Sequence, residues 1–206
     1  MSHYKTEQEQ FWAGQFGDDY ISRNKSERLF AANFAFFAKI LSATQEINSV
    51  IEFGANIGLN LRVIQSLRPG VELSAVEINQ KAVEEMEKHR IGKIYAQSIL
   101  EYVPDFPRDL AFTKGVLIHI NPEHLPKVYD ILYQSSQKYI CVAEYYNPSP
   151  VELNYRGHSQ KLFKRDFAGE ILDRFKDLKL VDYGFSYHRD NCFPQDDITW
   201  FLLKKC

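Results

Sequence analysis

Val50-Ile51-Glu52-Phe53-Gly54-Ala55-Asn56-Ile57-Gly58 is an apolar run carrying one acidic residue, then a turn built on Gly54, Asn56 and Gly58, then an amphipathic segment. A strand that turns this tightly into a helix brings backbone N–H groups and a carboxylate to one crevice, where an open α/β sheet takes its ligand. A dinucleotide fingerprint needs G-x-G-x-x-G, and here Asn56 and Leu59 occupy the second and third glycine positions. The G-K-[S/T] of a phosphate-binding loop is absent too. Glu52 would repel a pyrophosphate and attract a cation. Asn56 suits the middle of the turn, because asparagine tolerates left-handed backbone better than most residues with a Cβ.

Outward from this turn, strands and helices alternate. Strand 49–53 leads to helix 57–67, strand 71–77 to helix 80–90, and a short strand 93–95 to a loop through Pro104 and Pro107. Strand 109–113 precedes helix 123–136, with Asn121 as its cap and Pro122 at its first position. Strand 138–144 is continuously apolar, as a central parallel strand should be. A long proline-bearing segment, 145–163, then reaches helix 166–175, and the β-rich runs Leu178–Tyr187 and Ile198–Leu203 form a terminal antiparallel hairpin. Before all this, Thr6 with Glu9 makes a capping box, Phe11, Trp12 and Phe16 share a helical face, and Ser26 caps a second helix. The expectation is a Rossmann-like, doubly wound α/β domain over residues 49–206, with a seven-stranded, mostly parallel sheet and the terminal hairpin, behind an N-terminal helical cap over residues 1–48.

The 206 residues carry a formal net charge of -2, which gives no electrostatic grip on nucleic acid or an anionic membrane. No apolar stretch is long enough to span a bilayer, and the polar N-terminus lacks a signal-peptide core, so a cytoplasmic chain is expected. Cys141, Cys192 and Cys206 lack metal or redox spacing and read as free thiols. Asp196-Asp197 has no partner cluster and reads as a turn, so no metal is expected; His188 and Arg189 read as polar edge-strand residues.

A second acid, Glu77, ends the next strand, Leu73-Ser74-Ala75-Val76-Glu77, where a carboxylate can accept both hydroxyls of a ribose. The crevice thus suits a cationic, ribose-bearing ligand without phosphate. Over residues 49–204 the chain resembles class I S-adenosylmethionine-dependent methyltransferases, on Glu52-Phe53-Gly54-Ala55-Asn56-Ile57-Gly58, on Glu77, and on Asp109-Leu110-Ala111-Phe112-Thr113-Lys114-Gly115-Val116-Leu117-Ile118-His119-Ile120. The resemblance implies S-adenosylmethionine as cofactor and S-adenosylhomocysteine as product. Glu52 would act on the methionine end; Gly54, Ala55, Asn56 and Gly58 would pass close to the cofactor; Glu77, with Ile78 beside it, would hold the ribose. Ser98 and Ile99 would flank the adenine, and Thr113, Lys114 and Gly115 would face the methionine moiety.

Methyl transfer needs alignment, and a hydroxyl acceptor also needs a general base. The candidate bases are His119 and His158. The strand exit Glu144-Tyr145-Tyr146-Asn147 offers two aromatic rings to a sulfonium or a sugar, with Tyr145 placed at the chemistry and Glu144, Tyr146 and Asn147 toward the substrate. Arg156 could hold a carboxylate or phosphate of an acidic acceptor. In the N-terminal cap, Trp12 would close over the cofactor, with Tyr20 and Arg23 over the acceptor, as parts of a lid. The stretches F-W-A-G-Q-F-G-D-D-Y-I-S-R-N, K-G-V-L-I-H-I-N-P and A-E-Y-Y-N-P-S-P with the later Y-R-G-H are similar to methylases associated with pseudaminic acid biosynthesis, which implies a bacterial sugar or amino-sugar acid acceptor. Other readings of the residues are methylation of a different small-molecule amine or hydroxyl, and a catalytically silent cofactor-binding protein. A macromolecular methyltransferase lacks its basic groove, and an oxidoreductase is disfavoured by Asn56 and Leu59. The oligomeric state is open.

Overall fold

The protein is described from a computed structural model, over residues 4–21 and 26–206. Strand β1 (Ser49–Phe53) lies at the centre of the sheet, with Val50, Ile51 and Phe53 fully buried. Removing such side chains from water stabilises by about 1.5–3 kcal/mol each. To one side lie β2 (Glu72–Glu77) and β3 (Lys93–Ala96), and to the other β4 (Arg108–Lys114) and β5 (Ser136–Glu144), all parallel. The terminal hairpin, β8 (Leu178–Ser186) and β9 (Ile198–Lys205), is added beyond β5, with β9 antiparallel to it. The order β3-β2-β1-β4-β5-β9-β8 reverses direction between β1 and β4. That reversal opens a crevice at the carboxyl ends of the two strands.

Helices α4 (Leu59–Leu67) and α5 (Gln80–Lys88) cover one face together with α3 (Glu27–Ser42), whose Phe37, Ile40 and Leu41 are buried there. Helices α6 (Leu125–Gln134) and α7 (Phe167–Arg174) cover the other. The doubly wound, mostly parallel seven-stranded sheet is the one expected. Among the described residues, no helix is long and apolar enough to cross a membrane.

Three local departures from expectation have physical causes. The first N-terminal helix breaks at Gly14 into α1 (Glu7–Ala13) and α2 (Gln15–Ile21), while Thr6 and Glu9 form the expected capping box and Ser26 caps α3. Asn121 caps a single 3-10 turn, Pro122–His124, before α6 begins. The segment read as one long loop contains a second, two-stranded sheet: β6 (Val151–Tyr155) and β7 (His158–Lys164). Its two-residue turn is Arg156-Gly157, both in left-handed backbone with φ 53° and 90°. A type I′ hairpin turn has that conformation at both central positions.

Candidate active site

The turn after β1 is drawn against β2. The Gly54 and Ala55 amides both donate to the Val76 carbonyl, at 2.8 and 3.3 Å. Gly54, Asn56 and Gly58 are all left-handed, at φ 72°, 49° and 72°. A side chain on Gly54 would also meet Val116 Cγ2 at 2.6 Å, so the position excludes a Cβ twice over. Gly58 is oriented differently from the expectation. Its α-carbon abuts Met86 and Ile91, where an added Cβ would stand 3.0 and 3.1 Å from their side chains. It serves the turn and the packing of α5, and does not line the crevice.

Above the carboxyl ends of β1, β2, β4 and β5 lies a cavity of about 600 Å³, roofed by α1 and α2. Of the residues expected at a cofactor, Trp12, Gly54, Ala55, Asn56, Glu77, Ile78, Ser98, Ile99, Lys114 and Gly115 line it. Of those expected at an acceptor, Tyr20, His119, Tyr145 and Arg156 do. Arg23 lies outside the described residues.

At the carboxyl end of β2, Glu77 is buried and fixed from both sides. Its Oε2 accepts the Asn56 amide at 2.7 Å and its Oε1 the Asn79 amide at 2.8 Å. Each oxygen keeps a further lone pair for a ligand. Burial pushes its pKa up, and the backbone donors hold it down. Glu52, expected at the methionine end, does not line the cavity: it is buried within β1 below the turn, and Asn60, which does line the wall, donates Nδ2 to its Oε1 at 2.6 Å. Its Oε2 and the Asn60 Oδ1 have no partner. Burial raises the Glu52 pKa to about 8, against the opposing pull of Asn60 and Lys114. Lys114, on the cavity wall, is shifted down by burial.

The roof is tied to these elements by polar contacts. Ser98 donates its hydroxyl to Glu9, and Asn79 Nδ2 donates to the Trp12 carbonyl at 3.2 Å and to Asp18 at 2.9 Å. Gln8 Nε2 reaches the Gln160 carbonyl in the small hairpin, at 2.9 Å. Gln8 and Glu9 are thus cavity residues that the sequence reading passed over.

The acceptor half is aromatic. The His119 ring stands 4.6 Å from Trp12 and 4.9 Å from Tyr155. His119 Nδ1 lies 2.5 Å from the Lys161 carbonyl. A carbonyl only accepts, so Nδ1 carries the proton and Nε2 keeps its lone pair. Burial lowers the His119 pKa to about 4. The ring is therefore neutral at physiological pH, with Nε2 able to accept a hydrogen bond, and the same burial makes it a weaker base than free imidazole. Because the unfolded chain protonates near pH 6.5 and the folded one near 4, the unfolded state binds the extra proton first as the pH falls. The His119 contribution to stability is complete above about pH 6.5 and is lost on acidification toward pH 4, by about 3 kcal/mol. His119→Asn, which can still donate to the Lys161 carbonyl, is expected to remove that part of the acid destabilisation. Urea titrations of both proteins at pH 7 and pH 4.5 measure it, and identical pH dependence would refute the assignment.

Three expected substrate residues and one candidate base, His158, are placed elsewhere. Glu144 turns its carboxylate onto the amides of Val116, Leu117 and Ile118, and so holds the turn that carries His119 instead of facing the cavity. Tyr146 is exposed and packs toward Phe201, at 5.8 Å, away from the cavity lining. Asn147 donates to the Ser149 carbonyl beside it. His158 is exposed and contacts the rings of Phe11 at 5.0 Å and Phe16 at 5.9 Å, joining the hairpin to α1 and α2. Of the cofactor set, Thr113 is fully buried behind the wall.

The converse also occurs. Asp196 and His188 line the cavity; burial and the nearby Asp196 carboxylate push the Tyr145 pKa up, and His188 Nδ1 pairs with Asp197 at 2.9 Å. Asn33, Asn60, Tyr155 and Gln195 join the wall as well. Arg156 projects from the hairpin tip into the same space, and no carboxylate among the described residues pairs with it.

No protein-family model matches the sequence, and no curated protein matches it. Solved structures do. A SAM-dependent methyltransferase from Archaeoglobus fulgidus is 15% identical, with 93% of this chain and 100% of that one aligned at a TM-score of 0.67. A 1,6-didemethyltoxoflavin-N1-methyltransferase from Burkholderia thailandensis, with its substrate and S-adenosylhomocysteine bound, is 13% identical, over 96% of this chain and 86% of that one, at 0.71. Magnesium protoporphyrin IX methyltransferase from Synechocystis, with bound SAM, is 11% identical over the whole of both chains at 0.67. At such identities the likeness is one of fold, and the fold is the Rossmann-like one of SAM-dependent methyltransferases.

Proposed function

We propose that the protein is an S-adenosylmethionine-dependent methyltransferase acting on a small molecule, and that its acceptor is a sugar or amino-sugar acid of the nonulosonic, pseudaminic-acid type. The observation that carries the first part is the pair of buried, unpartnered polar atoms under the β1 turn, at the wall of the cavity. Glu52 Oε2 and Asn60 Oδ1 are buried acceptors without partners, within Coulombic reach of Lys114. Such a group fits a zwitterionic amino-acid end, with the acceptors toward an ammonium and Lys114 toward a carboxylate. Glu77 supplies the ribose acceptor, the Gly54–Asn56 backbone lies between, and Ser98 and Ile99 flank the base.

S-adenosylmethionine supplies an electrophilic methyl group on a sulfonium. The chain's own residues align the acceptor. His119 Nε2 accepts a hydrogen bond from an acceptor hydroxyl or neutral amine and so orients its lone pair toward the methyl group, and the Lys161 carbonyl holds the ring in the tautomer that permits it. Tyr145 and Tyr155 supply aromatic faces, and the roof of α1 and α2 excludes water. For the acceptor class, the support is Arg156, which lines the cavity beside the Tyr155 ring with no carboxylate partner among the described residues and so suits an acidic ligand.

Calorimetry with S-adenosylhomocysteine tests the first part. One molecule is expected to bind per chain with micromolar affinity, and no heat at millimolar ligand would overturn the reading.

A further inference from the structure

Gln195 has both of its amide atoms, Oε1 and Nε2, buried without a hydrogen-bond partner among the described residues, in a residue only 6% exposed. It faces the cavity. A buried polar group left unpaired is costly, and native proteins keep few of them. The backbone that carries it is tied in place. The Gln195 amide donates to the Tyr187 carbonyl at 3.4 Å, the Ile198 amide to the Asp196 carbonyl at 2.6 Å, and the Asp197 carboxylate accepts the His188 amide at 3.1 Å. Next to it, Asp196 lines the same cavity as Tyr145 and places a carboxylate near its phenol.

We propose that Gln195 determines specificity in the acceptor subsite, and that it takes two neighbouring hydroxyls of a polyol or sugar ring, Nε2 donating to one and Oε1 accepting from the other. The inference rests on the methyltransferase reading of the cavity. The alternatives are worse matched to what lies there. An anion would meet the Oε1 dipole and the Asp196 charge. A cation would leave Nε2 unpaired, and an apolar group would leave both atoms so. A hydroxyl is donor and acceptor at once, so an adjacent pair satisfies both ends of a carboxamide. The aromatic faces of Tyr145 and Tyr155 suit the apolar face of such a ring.

The test compares wild type with Gln195→Met, which keeps the volume and removes both polar atoms. N-acetylneuraminic acid is the probe, titrated by calorimetry into the S-adenosylhomocysteine complex. Three results are expected. The ligand-free variant melts about 3–6 °C higher, because an unsatisfied buried amide has been removed. Affinity for S-adenosylhomocysteine stays within about twofold. Affinity for the probe falls at least about tenfold. A lower melting temperature would make Gln195 structural and overturn the inference. A lost cofactor affinity would place it in the other half of the cavity, with the same consequence. Equal probe binding by the two proteins, or none by wild type, would refute the polyol assignment. If wild type ignores S-adenosylhomocysteine itself, the parent reading fails and this inference with it.

Discussion

Glu77→Ala is expected to weaken S-adenosylhomocysteine binding by about 10²–10⁴-fold, with a much smaller change in melting temperature. Two losses combine. The ligand loses an acceptor for its ribose hydroxyls, and hydrogen bonds to a charged group contribute about 1.5–3 kcal/mol each. The turn also loses its strut: the Asn56 amide, now 2.7 Å from Glu77 Oε2, and the Asn79 amide, 2.8 Å from Oε1, would be left without acceptors. Asn56 holds left-handed backbone that asparagine adopts at some cost, so the turn would relax away from the geometry that presents its N–H groups. Stability responds less, because burying the carboxylate is itself unfavourable, as its raised pKa reports. Glu77→Gln keeps an acceptor for one amide and presents an NH₂ to the other, so it should fall between. Calorimetry on the three proteins reads the effect, and an alanine variant within threefold of wild type would refute the role.

How far the chain could be read follows from which interactions are local. Strand β1, its turn and the acids Glu52 and Glu77 are set by residues adjacent in sequence, and the alternation after them fixes the winding of the sheet. The β6–β7 hairpin was hidden because Pro148 and Pro150 suggested an irregular loop, and Arg156-Gly157 is a weak turn signal compared with Asn-Gly. The alternation of Val151, Leu153 and Tyr155 was nevertheless there to be seen. Choosing between His119 and His158 needed the hairpin register. Pairing Tyr155 with His158 sends the His158 ring to Phe11 and Phe16, while the Lys161 carbonyl fixes His119 at the cavity. Glu144 looked like a substrate ligand because it ends a strand at the crevice. Only the 3-10 turn at Leu117–His119 shows that three amides already claim it. Gln195 and Asp196 were illegible for a topological reason: the connection between β8 and β9 folds back over the sheet, and nothing local in P-Q-D-D announces that.

Cofactor binding is expected to release a proton near neutral pH, and Glu52 is the source. In the ligand-free protein, burial lifts its pKa to about 8, so at pH 7 the carboxyl is mostly neutral. Its open Oε2, with the open Oδ1 of Asn60, accepts the ligand ammonium only at full strength when the proton has left. Binding therefore favours the ionised form and should release about one proton per site at pH 7. By the same linkage, affinity for S-adenosylhomocysteine should rise up to about tenfold per pH unit between pH 6 and 8, and level off above the ligand-free pKa. The effect on stability runs the other way. A raised carboxyl pKa means that the unfolded chain ionises first as the pH rises, so this group's stabilisation is complete below about pH 4.5 and is lost as the pH climbs through 8. Calorimetry at pH 7 in phosphate and in Tris measures the proton directly, since the two enthalpies differ by the buffer ionisation heat multiplied by the protons released. Glu52→Gln should abolish that difference and flatten the pH dependence of affinity. Equal enthalpies in both buffers for wild type, or an undiminished difference in the glutamine variant, would remove Glu52 from the methionine end of the site.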